Sequence, residues 1–195
     1  MSSLIKKFIE LHSDSIIETA IKNCHCIGLH SFIIRTKPFK IRLFLADENC
    51  ELRQPYDVEN PHLTIHRHRH SSIFVPLTKT KIIHQLYRIA ENSFDSVNCF
   101  SFSTNIYSRL NQKYFHGQTG GSDWLTYCGA SSKCFLHAEE FHSVNILGNE
   151  KCAWLVIELS EANDFEQISY GGAKLTDGCY QKFDDPIKFI TDFFR

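Results

Sequence analysis

Apolar residues near the start of the chain recur at the spacing of an amphipathic helix. Leu4, Phe8 and Leu11 fall on one helical face. Ser15, followed three residues later by Glu18, matches the capping box that opens a second helix. The pattern therefore predicts two short helices ahead of the main body of the chain.

From residue 27 onward the pattern changes to short apolar or alternating runs separated by Gly, Pro, Asn, Asp and Ser. Such runs are typical of β-strands. We predict strands over residues 32–35, 39–46, 63–77, 81–89, 97–106, 124–128, 134–145 and 152–159. Many short strands with turn signals between them favour a sandwich or barrel over repeated βαβ units.

The C-terminal residues 184–195 combine an acidic N-cap, a proline in the first turn and apolar residues at helical spacing, which predicts a packed terminal helix. A length of 195 residues suits one domain with a real core. We therefore expect a single domain with a helical N-terminal extension over 1–25, a β-barrel over 27–160 and the C-terminal helix.

Charge and hydropathy restrict the partners of the chain. Its 21 Lys and Arg balance 22 Asp and Glu, so it lacks the basic surplus of a nucleic-acid binder. No apolar run approaches the roughly 20 residues that span a bilayer. The expected partner is a small-molecule substrate, with neither nucleic acid nor membrane, and a homodimer is left open.

The chain has 8 cysteines, but their spacing does not indicate a disulfide scaffold or a zinc site. A core of this size needs no disulfide framework, and no C-x-x-C pair is present. The first residues lack the apolar core of a signal peptide because Lys6, Lys7 and Glu10 interrupt it. We expect a cytoplasmic protein with reduced thiols, several of them buried as small apolar groups.

The 11 histidines are more informative, because three of them alternate along one predicted strand. His66, His68 and His70 alternate with Arg67 and Arg69, so the imidazoles project from one face of the strand. Two imidazoles two residues apart, with Cβ atoms about 6.6 Å from each other, can reach a single ion. The alternative is an exposed edge strand whose charges discourage aggregation.

A second histidine motif lies downstream. His142 is followed by Asn145, a turn at Gly148 and a strongly apolar strand. A His-x-His strand followed by this arrangement resembles the two motifs of the cupin superfamily, small β-barrels whose histidines hold a divalent metal. The layout is most similar to the cysteine dioxygenase branch, thiol dioxygenases with three histidines on iron.

The resemblance implies a mainly β fold, a cupin-type β-barrel or jelly roll with N-terminal helices and a short C-terminal helix. It implies Fe(II) on His66, His68 and His142, with His70 as an alternative ligand. Zn, Ni or Mn are the other divalent metals considered. The glutamate ligand of other cupins is replaced by Ser72. No motif in this chain identifies the arginine that would bind the carboxylate of the substrate. Arg35 and Arg42 are candidates only because they lie in the corresponding region.

Two further residues are candidates for chemistry beside the metal. Tyr127 can donate a phenol hydrogen bond to substrate or dioxygen, although many tyrosines are core residues with one satisfied hydroxyl. Glu140 shares strand parity with His142 and can offer a carboxylate, although exposed acidic residues are common. Five other histidines show no partner pattern and are taken as ordinary: His12, His25, His30, His62 and His84.

The expected function is therefore a metal-dependent cupin oxygenase, an Fe(II) dioxygenase acting on a small polar or thiol-containing substrate inside the barrel. One alternative is a cupin isomerase or lyase that uses the metal as a Lewis acid. The other is a non-catalytic, small-molecule-binding cupin whose histidines face solvent.

Overall fold

The computed structural model describes residues 3–35, 37–53, 65–68, 70–79, 81–89, 99–101, 125–131, 135–138, 140–159, 168–170 and 180–195. The helices are α1 (Ser3–Leu11), α2 (Ser13–Thr19) and α3 (Pro186–Phe193), with a 3₁₀ turn at Glu51–Arg53. The strands are β1 (Leu29–Arg35), β2 (Lys40–Ala46), β3 (Ile65–Arg67), β4 (Ser72–Pro76), β5 (Lys81–Ile89), β6 (Cys99–Ser101), β7 (Leu125–Ser131), β8 (Phe135–Leu136), β9 (Phe141–Leu147), β10 (Cys152–Glu158) and β11 (Ile168–Tyr170).

The strands form two antiparallel sheets. The first sheet has the order β1-β2-β10-β4-β8, and the second has the order β6-β11-β3-β9-β5-β7. The predicted strands over residues 32–35 and 39–46 are confirmed, and they pair as an antiparallel hairpin with Phe32 opposite Leu43. The mainly β class is therefore confirmed. Within the described residues both sheets are open, so closure into a cupin-type barrel stays a prediction.

The two faces of the first sheet pack against different layers. On one face Phe32, Leu43 and Leu45 share a buried cluster with Ile16 of α2 and Ile190 of α3. On the other face a second cluster joins the first sheet to the second sheet, and its buried members include Phe74, Trp154, Val156 and Ile146. The described part of the molecule thus has helices, first sheet and second sheet as successive layers.

Of the two helix N-caps predicted from the sequence, one is present and the other is not. At α3 the predicted acidic cap is present, because the Asp185 carboxylate accepts from the Lys188 backbone N–H at 2.8 Å. The predicted capping box at Ser15 is wrong, since α2 begins two residues earlier. The Ser15 hydroxyl instead donates to the Ile33 carbonyl at 2.8 Å and ties α2 to β1. None of the described helices has the length and apolar character needed to cross a membrane.

Two predicted strands are each divided between the sheets. Residues 63–77 form β3 in the second sheet and β4 in the first. Residues 134–145 form β8 in the first sheet and β9 in the second. The two crossings lie side by side, because the Ala138 N–H donates to the Ser71 hydroxyl at 3.3 Å. Both histidine motifs therefore sit where the chain passes between the sheets.

Candidate metal centre

Strand pairing in the second sheet brings the two histidine motifs together. β3 and β9 are neighbours, with His66 directly opposite His142 and their ring centroids 4.4 Å apart. His68 directly follows β3 and lies on the same side as His66, as the strand parity predicts. Its ring centroid is 4.8 Å from that of His66 and 5.0 Å from that of His142.

These three histidines form a group that can hold a metal ion. Each offers one ring nitrogen, and the three nitrogens lie within 4.8 Å of one another. Nitrogens bound to one ion at about 2.1 Å are at most about 4.2 Å apart, so small side-chain rotations complete the geometry. Three imidazoles suit iron, zinc, nickel or copper, and the ligand set does not decide among these metals.

His142 is prepared for coordination by its hydrogen bonding. The residue is fully buried, and its ring Nδ1 lies 3.2 Å from the Glu140 carbonyl oxygen. A carbonyl only accepts, so Nδ1 carries the hydrogen and Nε2 carries the lone pair. Nε2 is buried without a hydrogen-bond partner in the described part of the chain. A metal ion is the ligand that satisfies such a nitrogen, with the carbonyl orienting the ring.

Electrostatics favour the neutral form of two of the three histidines, His68 and His142. Burial is the main cause that lowers the pKa of His68 and of His142 well below the usual histidine value, and the nearby His66 lowers both further. Neutral imidazole is the form that binds a metal, so protons compete only weakly for the nitrogens of these two residues near pH 7. His68 and His142 are therefore in the protonation state that coordination requires.

His84 was not singled out from the sequence, yet the fold places it beside the centre. It lies on β5 opposite Val144, which makes it a diagonal neighbour of His142 on the same face. Its ring centroid is 5.4 Å from that of His142 and 4.3 Å from that of Phe74. The residue is 1% exposed, and its Nδ1 has no partner among the described residues. The only indication in the sequence was that His84 lies two residues after Ile82, and therefore on the same face of a largely apolar strand.

A charged cluster from the first sheet reaches toward the centre. The Lys40 ammonium lies 3.1 Å and the Arg42 guanidinium 3.6 Å from oxygens of Glu158. Arg42 and Phe74 both lie opposite Val156, so they share the face that is turned to the second sheet. After burial and the nearby His66, the charge of Arg42 is a further cause that lowers the pKa of His68.

Of the two arginine candidates, the structure brings only Arg42 toward the histidines. Its side chain is 10% exposed and its Nε is buried without a hydrogen-bond partner among the described residues. Arg35 lies at the exposed end of β1, where its Nε donates to the Lys37 carbonyl. Of the two, Arg42 is the candidate that lies on the face turned toward the histidines, and its role in substrate binding stays a prediction.

The remaining predicted site residues lie at different distances from the centre. His70 is outside the group of three close nitrogens, which selects His66 and His68 as the convergent pair. The Glu140 carboxylate accepts from the His137 N–H at 2.9 Å, while its carbonyl holds His142. Tyr127 lies on β7 opposite Tyr87 of β5, and its side chain is outside the described residues. Catalytic roles for Glu140 and Tyr127 stay predictions.

The site consists of three convergent imidazoles, a fourth buried histidine and a cationic cluster on the first sheet, on the face that is turned toward them. Comparison with protein-family models, curated proteins and solved structures finds no match for this chain. The geometry and chemistry of these side chains are therefore what indicates a function.

Proposed function

We propose that the protein is a metal-dependent oxygenase of the cupin type, with Fe(II) held by His66, His68 and His142. The observation that carries the proposal is the convergence of three imidazoles from neighbouring strands, one of them with a buried and unpartnered Nε2. Two short histidine motifs in cupin order on a mainly β chain support the barrel assignment. Closure of the two sheets into that barrel is part of the proposal.

The three ligands shape the chemistry that the centre would support. When bound, Fe(II) supplies open coordination positions at which a substrate and dioxygen react. Three neutral imidazoles leave the positive charge of the ion uncompensated, which favours an anionic or thiolate substrate. The hydrogen bond from His142 to the Glu140 carbonyl fixes one ligand ring in place.

The charged cluster supports a small anionic substrate. Lys40 and Arg42 contribute two positive charges against the one negative charge of Glu158. The Arg42 guanidinium carbon lies 5.7 Å from the centre of the Phe44 ring, which positions it in a partly apolar setting. A carboxylate on the substrate would find a pre-positioned cation at Arg42, on the face of the first sheet that is turned toward the histidines.

Free cysteines support a cytoplasmic location for such an enzyme. Four cysteines with described side chains are buried and free: Cys24, Cys26, Cys50 and Cys152. The thiols of Cys26 and Cys50 are hydrogen-bonded to each other rather than joined. Reduced neighbouring thiols are typical of a reducing compartment.

Oxygen uptake tests the proposal most directly. Protein loaded anaerobically with Fe(II) is mixed with air-saturated buffer and a panel of small thiols bearing a carboxylate, and oxygen is followed with an electrode. We expect uptake that depends on one panel member and is lost in His142→Ala. Arg42→Met should raise KM for that substrate more than it lowers kcat.

Two results would contradict the proposal in different ways. Turnover of a substrate without oxygen uptake would replace oxygenase chemistry by isomerase or lyase chemistry at the same ion. Metal binding without turnover of any panel member would favour a binding protein. Absence of bound metal in the wild-type protein would remove the centre itself.

A further inference from the structure

One buried imidazole next to the centre has no role in the ligand set. We propose that His84 is a positioning residue that hydrogen-bonds a small anion or water held at an open position of the metal, without coordinating the metal itself. The inference rests on the proposed function, because it needs an ion on His66, His68 and His142.

Strand pairing determines where His84 lies relative to the ligands. β5 and β3 flank β9 on either side, so His84 and His66 approach His142 from opposite neighbouring strands. All three lie on one face of the second sheet, because His66 is opposite His142 and His84 is diagonal to it. The row of imidazoles thus continues one strand beyond the three ligands.

The geometry favours an outer position over direct coordination. The group of nitrogens within 4.8 Å of one another contains His66, His68 and His142 and does not extend to His84. Ligand nitrogens on one ion lie at most about 4.2 Å apart. A group bound to the ion, however, projects about 2 Å from it and can meet a nitrogen that lies one hydrogen bond farther out.

The neighbours of His84 leave one of its nitrogens for such a group. The ring contacts Phe74, which offers no conventional hydrogen-bonding atom, and His142, whose Nδ1 is engaged by the Glu140 carbonyl. The Nδ1 of His84 is buried without a partner in the described part of the chain. Buried polar atoms in native proteins are nearly always satisfied, by protein, water or ligand.

The two nitrogens of an imidazole suit this role. A neutral imidazole has one donor and one acceptor nitrogen. It can therefore donate to an anion on the metal or accept from a bound water without placing a second cation beside the ion.

The test uses Co²⁺ as the metal and azide as the small anionic probe. Visible absorption of the Co²⁺ protein reports the ligand set, and azide titration reports the open position. His84→Phe keeps the ring volume and removes both nitrogens, whereas His84→Asn keeps an amide near the position of Nδ1. His12→Phe, the same substitution far from the centre, is the control.

We expect His84→Phe to bind one Co²⁺ per chain with the spectrum of the wild-type protein but to bind azide about tenfold more weakly. His84→Asn should recover most of that loss, and His12→Phe should match the wild type. Loss of Co²⁺ from His84→Phe would make His84 a ligand and overturn the inference. Unchanged azide affinity in His84→Phe would make it a core residue only.

Two further comparisons distinguish a failure of this inference from a variant that does not fold and from a protein without the proposed metal centre. If His84→Phe does not fold, His84→Asn and His84→Gln decide, because their amides occupy the positions of different ring nitrogens. Unequal azide affinities in these two variants are expected, and equal affinities would overturn the inference. A wild-type protein that binds no Co²⁺ would refute the proposed centre, and His84 with it.

Discussion

Acidification should destabilise the metal-free protein, and His84 should account for a defined part of the effect. Burial, aided by the charge of His66, lowers the pKa of folded His84 from 6.5 to about 4. The unfolded chain returns to the higher value, so between these values it binds more protons than the folded chain. Stability is fully present above the unfolded pKa and is lost as pH falls through this window.

The size of the effect follows from the two pKa values. The folded value of about 4 lies about 2.5 below 6.5, and each pKa unit is worth about 1.4 kcal/mol, which gives about 3 kcal/mol once both states are protonated. At pH 5 the unfolded histidine is mostly charged while the folded one is mostly neutral, so about 2 kcal/mol has already been lost. Burial of His68 and His142 acts in the same direction.

Urea unfolding followed by circular dichroism measures this loss. Chelator-treated wild type and His84→Phe are compared at about pH 7.5 and about pH 5, where the wild type should lose about 2 kcal/mol more than the variant. Because the free energy of unfolding of each protein is compared between the two pH values, a change in packing caused by the substitution cancels. His12→Phe, at a distant position, should retain the wild-type difference. Equal pH dependence in wild type and His84→Phe would show that the pKa of His84 is not lowered by folding.

Three further predictions concern the scaffold. Asp185→Ala removes the cap of α3 and should cost about 1 kcal/mol in urea unfolding; an unchanged midpoint would contradict the cap. Gly28→Ala puts a Cβ 2.8 Å from the Cys50 Cα at a φ of +79° and should cost more than about 1 kcal/mol, exceeding Gly148→Ala, whose Cβ meets nothing within 4 Å. Labelling by a thiol reagent should require unfolding, and fast labelling of the folded protein would contradict burial of these cysteines: Cys24, Cys26, Cys50 and Cys152.

Local signals in the sequence predicted much of the secondary structure. The hairpin of β1 and β2, strands β5 and β10, and helix α3 follow from apolar periodicity, turn residues and an acidic cap. The crossings between sheets were not predictable, because alternation continues through residues 63–77 even though the chain changes sheet there. Strand periodicity reports which face a side chain takes, but it carries no information on the strand's partners.

The same limit explains what the sequence revealed about the site. His66 and His68 share strand parity, so their common direction was predictable from spacing alone. Their partner His142 is 76 residues away from His66, and only the resemblance to a second cupin motif connected them. His84 carried no motif, and it joins the centre only because β5 pairs with β9.

Arg42 shows how a contact between sheets escapes prediction. Within its own strand, it looks like a polar residue in an alternating run, with no signal that separates it from Arg35. The pairing of β2 with β10, and of β10 with β4, places it on the face turned toward the second sheet. Long-range pairing therefore decides which of the two arginines lies on the face that is turned toward the histidines.

Metal content per chain is the most direct test of metal binding by His66, His68 and His142. Protein expressed and purified without chelator is subjected to elemental analysis, together with His66→Ala, His68→Ala, His142→Ala and the distant control His12→Ala. We expect about one divalent metal ion per chain in the wild type and the control, and strong loss of metal in each of the three ligand variants. Equal metal content in all five proteins, or none in the wild type after supplementation with Fe(II), would contradict it.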